Sequence, residues 1–514
     1  MKRKILLLSV CFFFSLGAVY AQGEMDAFKL SQEDLTGSAR SVSMGGAFGA
    51  LGGDIGGIAI NPAGIGVYRS SEIVTTLNFQ NTKAEASSNV GKIGKDKFKF
   101  NFDNLAFVTA IPLNSDVAPL LNFGFSYNRL KNFDRQYRTE GKDLNLSMAH
   151  YMAHRANTST SIKNPNDLDL ENGDDPLYDH DWMAVFGYNS GLIGINDEGG
   201  YGVIKGMPQG AIYNSLYSRE KGSVSSYDFN MGTTFSDLLS IGLTLSVTDI
   251  KYHLFSDYNE DYAGYNKTGF TLSNELKSEG AGFQVTAGVI LKPINEFRIG
   301  VAYHSPTWYN MTDYYYAGFD YNISSLSGYE GRITTPAMRY DYRMRTPDKW
   351  TVSMAGVLGQ IAIISADYEY TNYSNNMRLF EDNGKDIALA NESIKNHYKG
   401  ASTLRVGAEV RFTPQFSGRV GYAWMQSPLK KEFRDGKHEA MTVGSINQYT
   451  LDGDRNYFTY GLGYRFSRHF YTDIAFVMGS QKSDLLPFDI ENKGQASALK
   501  VNTFQGLLTL GYKF

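Results

Sequence analysis

Along much of this chain, apolar residues alternate one by one with small or polar residues. Leu121, Phe123, Phe125 and Tyr127 alternate with Asn122, Gly124, Ser126 and Asn128. Ile241, Leu243, Leu245 and Val247 alternate with Gly242, Thr244, Ser246 and Thr248. The same pattern recurs at Phe283–Leu291, Leu404–Phe412 and Phe458–Phe466. A period of two is the signature of a strand with two different faces. Fourteen such segments lie near 71–80, 101–111, 119–131, 223–235, 238–257, 281–291, 296–309, 347–357, 360–373, 401–412, 415–426, 456–466, 469–479 and 502–514.

A sandwich core also alternates, so the lengths of the connections decide. Links after even-numbered segments are short, such as Ser236–Asp237, Leu358–Gly359, Thr413–Pro414 and Ser467–Arg468. Links after odd-numbered segments are long: near 81–100, 132–222, 258–280, 310–346, 374–400, 427–455 and 480–501. Short turns on one side and long loops on the other, with an even strand count, describe a bacterial outer-membrane barrel. The chain ends Gly511-Tyr512-Lys513-Phe514, with an aromatic residue closing the last strand as a barrel-assembly signal. The pattern therefore predicts an all-β fold: a 14-stranded antiparallel transmembrane β-barrel over 71–514, with its largest loop at 132–222.

Composition agrees with this. The 514 residues include 35 Tyr, 32 Phe and 53 Gly but only 13 Pro, which suits strands and turns rather than disorder or coiled coil. Lys2, Arg3 and Lys4 precede an apolar run, and Val19-Tyr20-Ala21 ends in small residues, so 1–21 reads as a signal peptide. The single cysteine, Cys11, falls inside it, which leaves no thiol or disulfide chemistry in the mature chain. The 49 basic residues, three of them in the leader, face 53 acidic ones, which disfavours nucleic acid as a partner.

Residues 22–70 do not alternate. They are apolar and rich in small residues, including Met44–Asp54 and Ile55–Gly64. No Gly-Lys-Ser/Thr follows, and no βαβ unit surrounds the glycines, so neither phosphate-loop nor dinucleotide chemistry fits. A hatch, or plug, inside the lumen accounts for them, because a barrel of this size leaks unless it is filled.

Gly37–Ala47 followed by Asn61-Pro62-Ala63-Gly64 resembles the N-terminal hatch of the FadL/TodX outer-membrane transporters. Arg298–Pro306, Pro347–Ser353, Gly421–Trp424 and Ser427-Pro428 resemble the same family, in order along the chain. The resemblance implies passive uptake of long-chain fatty acids or similar hydrophobic molecules. A loop groove would capture ligand, the lumen would hold it beside the hatch, and a gap in the third strand would release it sideways into the membrane. It implies no enzyme and no cofactor. The implied partners are hydrophobic small molecules and outer-membrane lipid, for a monomer in a Gram-negative outer membrane. Haem or aromatic hydrocarbons remain alternative cargoes, and an adhesin or secretion-assembly subunit an alternative class.

Candidate residues follow from the register. Arg298, His304, Arg405, Arg411 and Arg419 are expected to face the lumen. Arginine grips a carboxylate with two hydrogen bonds, so these residues either hold a fatty-acid headgroup or pair with Glu409 or Asp54 to pin the plug. In the hatch, Phe48, Leu51, Ile55, Ile58 and Ile60 either line an apolar pocket or pack on one another, with Asn61, Pro62, Ala63 and Gly64 setting a turn. In the third loop, Met148, Tyr151 and Met152 at helical spacing and Trp182 with Phe186 predict two short helices flanking an outer groove. His150, His154 and His180 read as loop histidines, and no metal site is expected. No Gly-x-Ser-x-Gly elbow supports catalysis.

Overall fold

The computed structural model describes residues 23–514 apart from 173–174, 207–211, 265–267, 324–327, 360, 435–439 and 491–492. The expected signal peptide lies outside the described residues. Fourteen strands form the wall: β1 (Glu72–Ser87), β2 (Lys92–Pro112), β3 (Leu120–Asn132), β4 (Ile212–Phe235), β5 (Leu239–Tyr262), β6 (Gly269–Ile294), β7 (Phe297–His304), β8 (Lys349–Leu358), β9 (Ala362–Thr371), β10 (Ala401–Arg411), β11 (Phe416–Met425), β12 (Tyr449–Arg465), β13 (Phe470–Leu486) and β14 (Ser497–Lys513). Each pairs antiparallel with the next. The ladder closes where β1 meets β14, from Glu72 opposite Lys513 to Ser87 opposite Ala498. This closure joins the two ends of the sheet into a ring, the form in which strands cross lipid.

The alternation settles the register. Phe123, Phe125, Leu245 and Val247 are exposed on the outer face, where lipid covers them, while Asn122, Ser126 and Thr248 are buried on the inner face. The wall is taller than the sequence pattern suggested. β4, β5 and β6 have 24, 24 and 26 residues, so the expected loop 258–280 is largely strand. The expected loop 81–100 shrinks to the turn 88–91. Above the membrane, outward positions such as Lys251, Asp257 and Lys277 need not be apolar. The hydropathy signal fades there while the backbone ladder continues.

β7 and β8 each stop at a proline, which has no N–H to donate. Beyond Pro306 the chain resumes as the strand Trp308–Asn322, and Met338–Arg345 leads into Pro347 and β8. These upper strands pair with β6 and with each other. The seam is closed by Thr307 N–H donating to Thr346 Oγ1 at 2.9 Å and by Thr346 N–H donating to Thr307 O at 3.1 Å.

The hatch begins high in the lumen. Helix α1 (Glu24–Ser31) lies beneath the extracellular loops. The strap Gln32–Asp34 leads down to α2 (Ala39–Ser43), capped by the Ser38 hydroxyl, and then to the short α3 (Ile55–Ile58), capped by Asp54. The turn at Pro62–Val67 follows and delivers the chain into β1.

Candidate functional site

The hatch is seated by glycines in the barrel wall. An added Cβ would lie 2.3 Å from Met44 O at Gly407, 2.1 Å from Gly45 N at Gly421, 2.2 Å from Gly49 O at Gly300 and 2.2 Å from Pro62 O at Gly242. At these positions hatch backbone touches wall backbone, and only glycine leaves room. Asn61 locks the lower turn: its Oδ1 accepts from Ala63 N–H at 3.1 Å, while Nδ2 donates to Gly49 O at 2.7 Å and to Val289 O of β6 at 3.2 Å. Asp367 of β9 accepts from the N–H groups of Phe48 and Gly49 at 3.0 and 2.9 Å. Phe48 and Leu51 pack with Met44 and Ala355, and Ile55 and Ile58 pack with Ile65, Val74 and Val108. None of these hatch residues, nor Asn61, Pro62, Ala63 or Gly64, lines the cavities described below.

The anticipated lumen charges meet this plug. Arg298 Nη1 donates to Leu51 O at 2.6 Å, and His304 Nε2 lies 3.1 Å from Ile60 O. Arg405 donates through both terminal nitrogens to Glu369 at 3.1 Å and borders Gly46. Arg419 Nε donates to Glu409 at 2.6 Å and Nη1 to Asp473 at 2.5 Å. Arg40 of the hatch joins the same Glu409. Arg411 is exposed at the periplasmic rim of a vestibule that it lines with Arg40, Glu409 and Arg419. Four of the five thus touch the hatch or a network that includes it.

The outer helices form as Met148–Thr158 (α4) and Trp182–Asn189 (α5). Met148, Met152, Trp182 and Phe186 are fully buried and Tyr151 partly so. Phe186 stacks on Phe319 at 5.2 Å, and Trp182 meets Tyr315 at 5.4 Å. These side chains fill the cap over the barrel, so they line no open groove.

Open space lies between cap and hatch. A cavity there is walled by Met25 and Phe28 of α1, by β1, by residues 131–137, by β4–β6 and by β12–β14. Its lining is amphipathic. Phe133, Tyr252, Leu254, Leu276 and Ile446 alternate with Lys29, Lys131, Arg135, Glu220 and Arg455. Glu220 is held by Arg135 at 2.7 Å and by Lys29 at 3.2 Å. Lys131 is buried and donates only to neutral atoms, Lys29 O at 2.8 Å and Gln32 Oε1 at 2.9 Å. Among the described residues no carboxylate lies within 4.0 Å of its ammonium. A second, smaller space, bordered by Glu33, Lys349, Glu369 and Arg405, shares Phe28, Gln32, Asp34 and Arg455 with the first.

One wall of the cavity, formed by residues 131–135 and 137, lies on the β3 side of a break in the ladder. The β2–β3 ladder runs only from Pro112–Leu120 to Asn104–Asn128. Above it β2 continues along β1, while β3 continues along β4 and passes into the strand Arg135–Leu144. Side chains alone bridge the two edges: Asp103 with Arg129, Asp134 with Lys97 and Lys99, and Gln136 with Asp96 O. Phe98, Phe100 and Phe102 project outward beside the break.

Sequence reasoning missed Lys131 and Arg455; a lateral gap was expected only from the family resemblance, in the third strand, and the ladder is broken between β2 and β3. An extra residue at Leu130 shifts the β3–β4 register, which turns Lys131 inward against the alternation of 121–127. Arg455 fell in an expected loop. A usable signal existed in β2, where the outward aromatics switch from Phe98, Phe100 and Phe102 to Leu105 and Phe107. The switch marks the bulge at Asp103 where the ladder ends.

Residues 184–506 match the family described as outer membrane protein transport protein (OMPP1/FadL/TodX). Outer membrane protein P1 of Haemophilus influenzae is 22% identical over 325 residues, 56% of this chain and 69% of that protein. The fold is similar to a FadL homologue of Pseudomonas aeruginosa, with a TM-score of 0.55 at 14% identity, covering 94% of this chain and 99% of the other. It is also similar to the toluene transporter TodX of Pseudomonas putida, with a TM-score of 0.52 at 13% identity and coverage of 94% and 99%. The plugged fourteen-stranded barrel and the family match agree: this chain belongs to the FadL/TodX family of outer-membrane transport proteins, at home in the outer membrane of a Gram-negative bacterium.

Proposed function

We propose that this protein is a passive channel for long-chain fatty acids or closely similar amphipathic anions. The observation that carries this reading is the amphipathic cavity, where Lys29, Lys131, Arg135 and Arg455 stand among apolar side chains and the acids Asp26, Asp34, Asp134, Glu220 and Asp452, and where residues 131–135 and 137 lie on the edge that faces β2 across the unladdered stretch. An alkyl chain gains about 0.8 kcal/mol per buried methylene against such a wall. A carboxylate brings the charge that Lys131 lacks. Release between β2 and β3 delivers the ligand directly into lipid, so a concentration gradient and partition drive transport without an energy-coupling partner. Arg298, His304, Arg405 and Arg419 then anchor the hatch rather than meeting ligand first. The hatch stretch Asn61–Gly64 is the gate in this reading.

A neutral aromatic cargo, such as the one named for the toluene transporter TodX, uses the apolar wall but leaves Lys131 unmatched. The test is mass spectrometry of small molecules extracted from the barrel purified in mild detergent, for wild type and Lys131→Gln. A stoichiometric long-chain fatty acid in wild type, lost in Lys131→Gln, supports the proposal. A neutral aromatic or a haem in its place overturns it.

A further inference from the structure

The outer rim of the wall carries arginines that the rest of the chain leaves unbalanced. Beyond the proline seam the wall is built by the strand Met338–Arg345 and, beside it, the short strand Arg378–Glu381. On the first of these Tyr342 and Met344 are buried inward, so Arg343 and Arg345 take the outward lane. Register places Arg345 opposite Trp308 on one side and opposite Arg378 on the other. Arg343 lies opposite Asn310 and Phe380, one step farther from the membrane. Trp308, Trp350 and Tyr370 are exposed at the top of the outward lanes below, where the aromatic girdle of a barrel meets lipid headgroups. Like charges directly opposite one another destabilise a strand pair. Arg345 donates through Nε to Asn376 O at 2.9 Å and lies over the Phe380 ring, and Arg378 donates through Nη1 to Ser374 O at 3.2 Å and Met377 O at 3.1 Å. All these partners are neutral. Among the described residues no carboxylate lies within 4.0 Å of the three guanidinium groups, and Arg343 has no hydrogen-bond partner. Outward cations on neighbouring strands differ: Lys251 pairs with Asp249 at 3.6 Å, Lys277 with Glu275 at 3.0 Å and Arg339 with Asp341 at 3.0 Å.

We propose that Arg343, Arg345 and Arg378 form a binding site, on the outside of the barrel, for a phosphate group of lipopolysaccharide, the phosphorylated glycolipid of the outer leaflet. The planar guanidinium fork grips phosphate oxygens two at a time and is weakly hydrated, which suits it to a membrane interface. A phosphate bound between Arg345 and Arg378 offsets the repulsion across that strand pair. The acyl chains of the same molecule then run down over Trp308, Trp350 and Tyr370. Height selects this source of phosphate. Headgroup charges lie where an outward lane turns from apolar to polar, and the three arginines begin at that border. The site faces lipid rather than the lumen, so it is independent of which cargo the channel carries.

The test uses the full-length barrel in mild detergent. The probe is a rough lipopolysaccharide that carries both lipid A phosphates, compared with its dephosphorylated form, and bound glycolipid is counted by native mass spectrometry during titration. Wild type is expected to bind the phosphorylated form about a hundredfold more tightly, the upper range for charged hydrogen bonds. Arg343→Gln, Arg345→Gln and Arg378→Gln combined are expected to abolish that preference. Lys251→Gln with Lys277→Gln, which removes cations that are already paired, is expected to keep it. Arg343→Gln alone breaks no hydrogen bond within the chain, so it reports on the site even if the triple variant does not fold, and it is expected to weaken binding by about tenfold. Equal binding of the two glycolipid forms by wild type overturns the site, as does wild-type binding by Arg343→Gln. Displacement of the glycolipid by excess inorganic phosphate overturns the lipid source and assigns the arginines to free phosphate.

Discussion

Arg40 of the hatch and Glu409 of the barrel wall form a two-point ion pair, with Nε to Oε2 at 2.9 Å and Nη2 to Oε1 at 3.2 Å. Arg419 donates to the same carboxylate and Asp473 balances it, so two arginines and two acids share one network at the periplasmic end. Removing one member of a buried pair strands the others, at a cost of about 3 kcal/mol at the lower end of the usual range, since Arg40 retains some exposure. Glu409→Gln is therefore expected to loosen the lower hatch and leave the barrel folded. Faster amide exchange in residues 39–50 and a raised single-channel conductance for small ions are the readouts. Exchange like that of wild type would show that the glycine seats and Asp367 suffice.

The glycine seats predict a steric outcome. At Gly421 an added side chain meets the backbone of Met44 and Gly45, which has no rotamer with which to yield. Gly421→Val is expected to displace the hatch without unfolding the wall, because its outward neighbours Val420 and Tyr422 are untouched. Limited proteolysis should then cut within residues 37–64, where the wild type resists. Gly356→Val, at a wall position with open space around it, is the control and should stay resistant.

The break between β2 and β3 predicts a separation of binding from transport. Lys99→Cys with Asp134→Cys, joined by a short thiol-reactive linker, fastens the two edges where an ion pair now spans them. The only other cysteine in the sequence is Cys11. Oleate binding to the linked barrel should match wild type while uptake by cells falls at least tenfold. Undiminished uptake would move the exit elsewhere in the wall.

Asp26 predicts a pH dependence for the upper hatch. Burial in α1 pushes its carboxyl from an ordinary 3.8 up to about 6. Below about pH 4 the group is neutral whether α1 is docked or free, and docking carries no penalty. As pH rises from about 4 towards 6 the free state ionises without cost while the docked group stays protonated, so docking weakens progressively, and above about 6 the docked state buries a charge and the loss is complete. Amide exchange of residues 24–31, corrected for intrinsic rates, should therefore be more protected at pH 5 than at pH 7.5. Asp26→Asn should abolish the difference and protect α1 at the higher pH. An equal pH dependence in the variant would assign the effect to another group.

The strands were legible in the sequence because lipid forces the outer face to be apolar at every second residue. All fourteen wall strands overlap their expected segments, and the inward lanes of β3, β5 and β10 run as the alternation placed them. The glycines of those lanes, Gly242 and Gly407 among them, are where hatch backbone meets the wall. The hatch was legible as a stretch that does not alternate yet is too apolar to be free in water. Arg298, His304, Arg405 and Arg419 make their contacts on the inner side of the wall, where register directs them.

What those residues meet was not legible, because partners come from strands hundreds of residues away. Only the folded barrel brings Arg40 to Glu409, or Lys131 and Arg455 to Gln32. Local irregularities decided the rest. One extra residue at Leu130 turns Lys131 into the cavity, and one at Asp103 ends the β2–β3 ladder. Such bulges break the period-two rule at single positions, where a sequence pattern has no redundancy. The burial of Met148, Met152, Trp182 and Phe186 was likewise settled by contacts with distant strands, since an amphipathic helix looks the same whether its apolar face meets ligand or protein. The solvent on either side of the wall wrote itself into the sequence, and tertiary packing alone chose which charges meet.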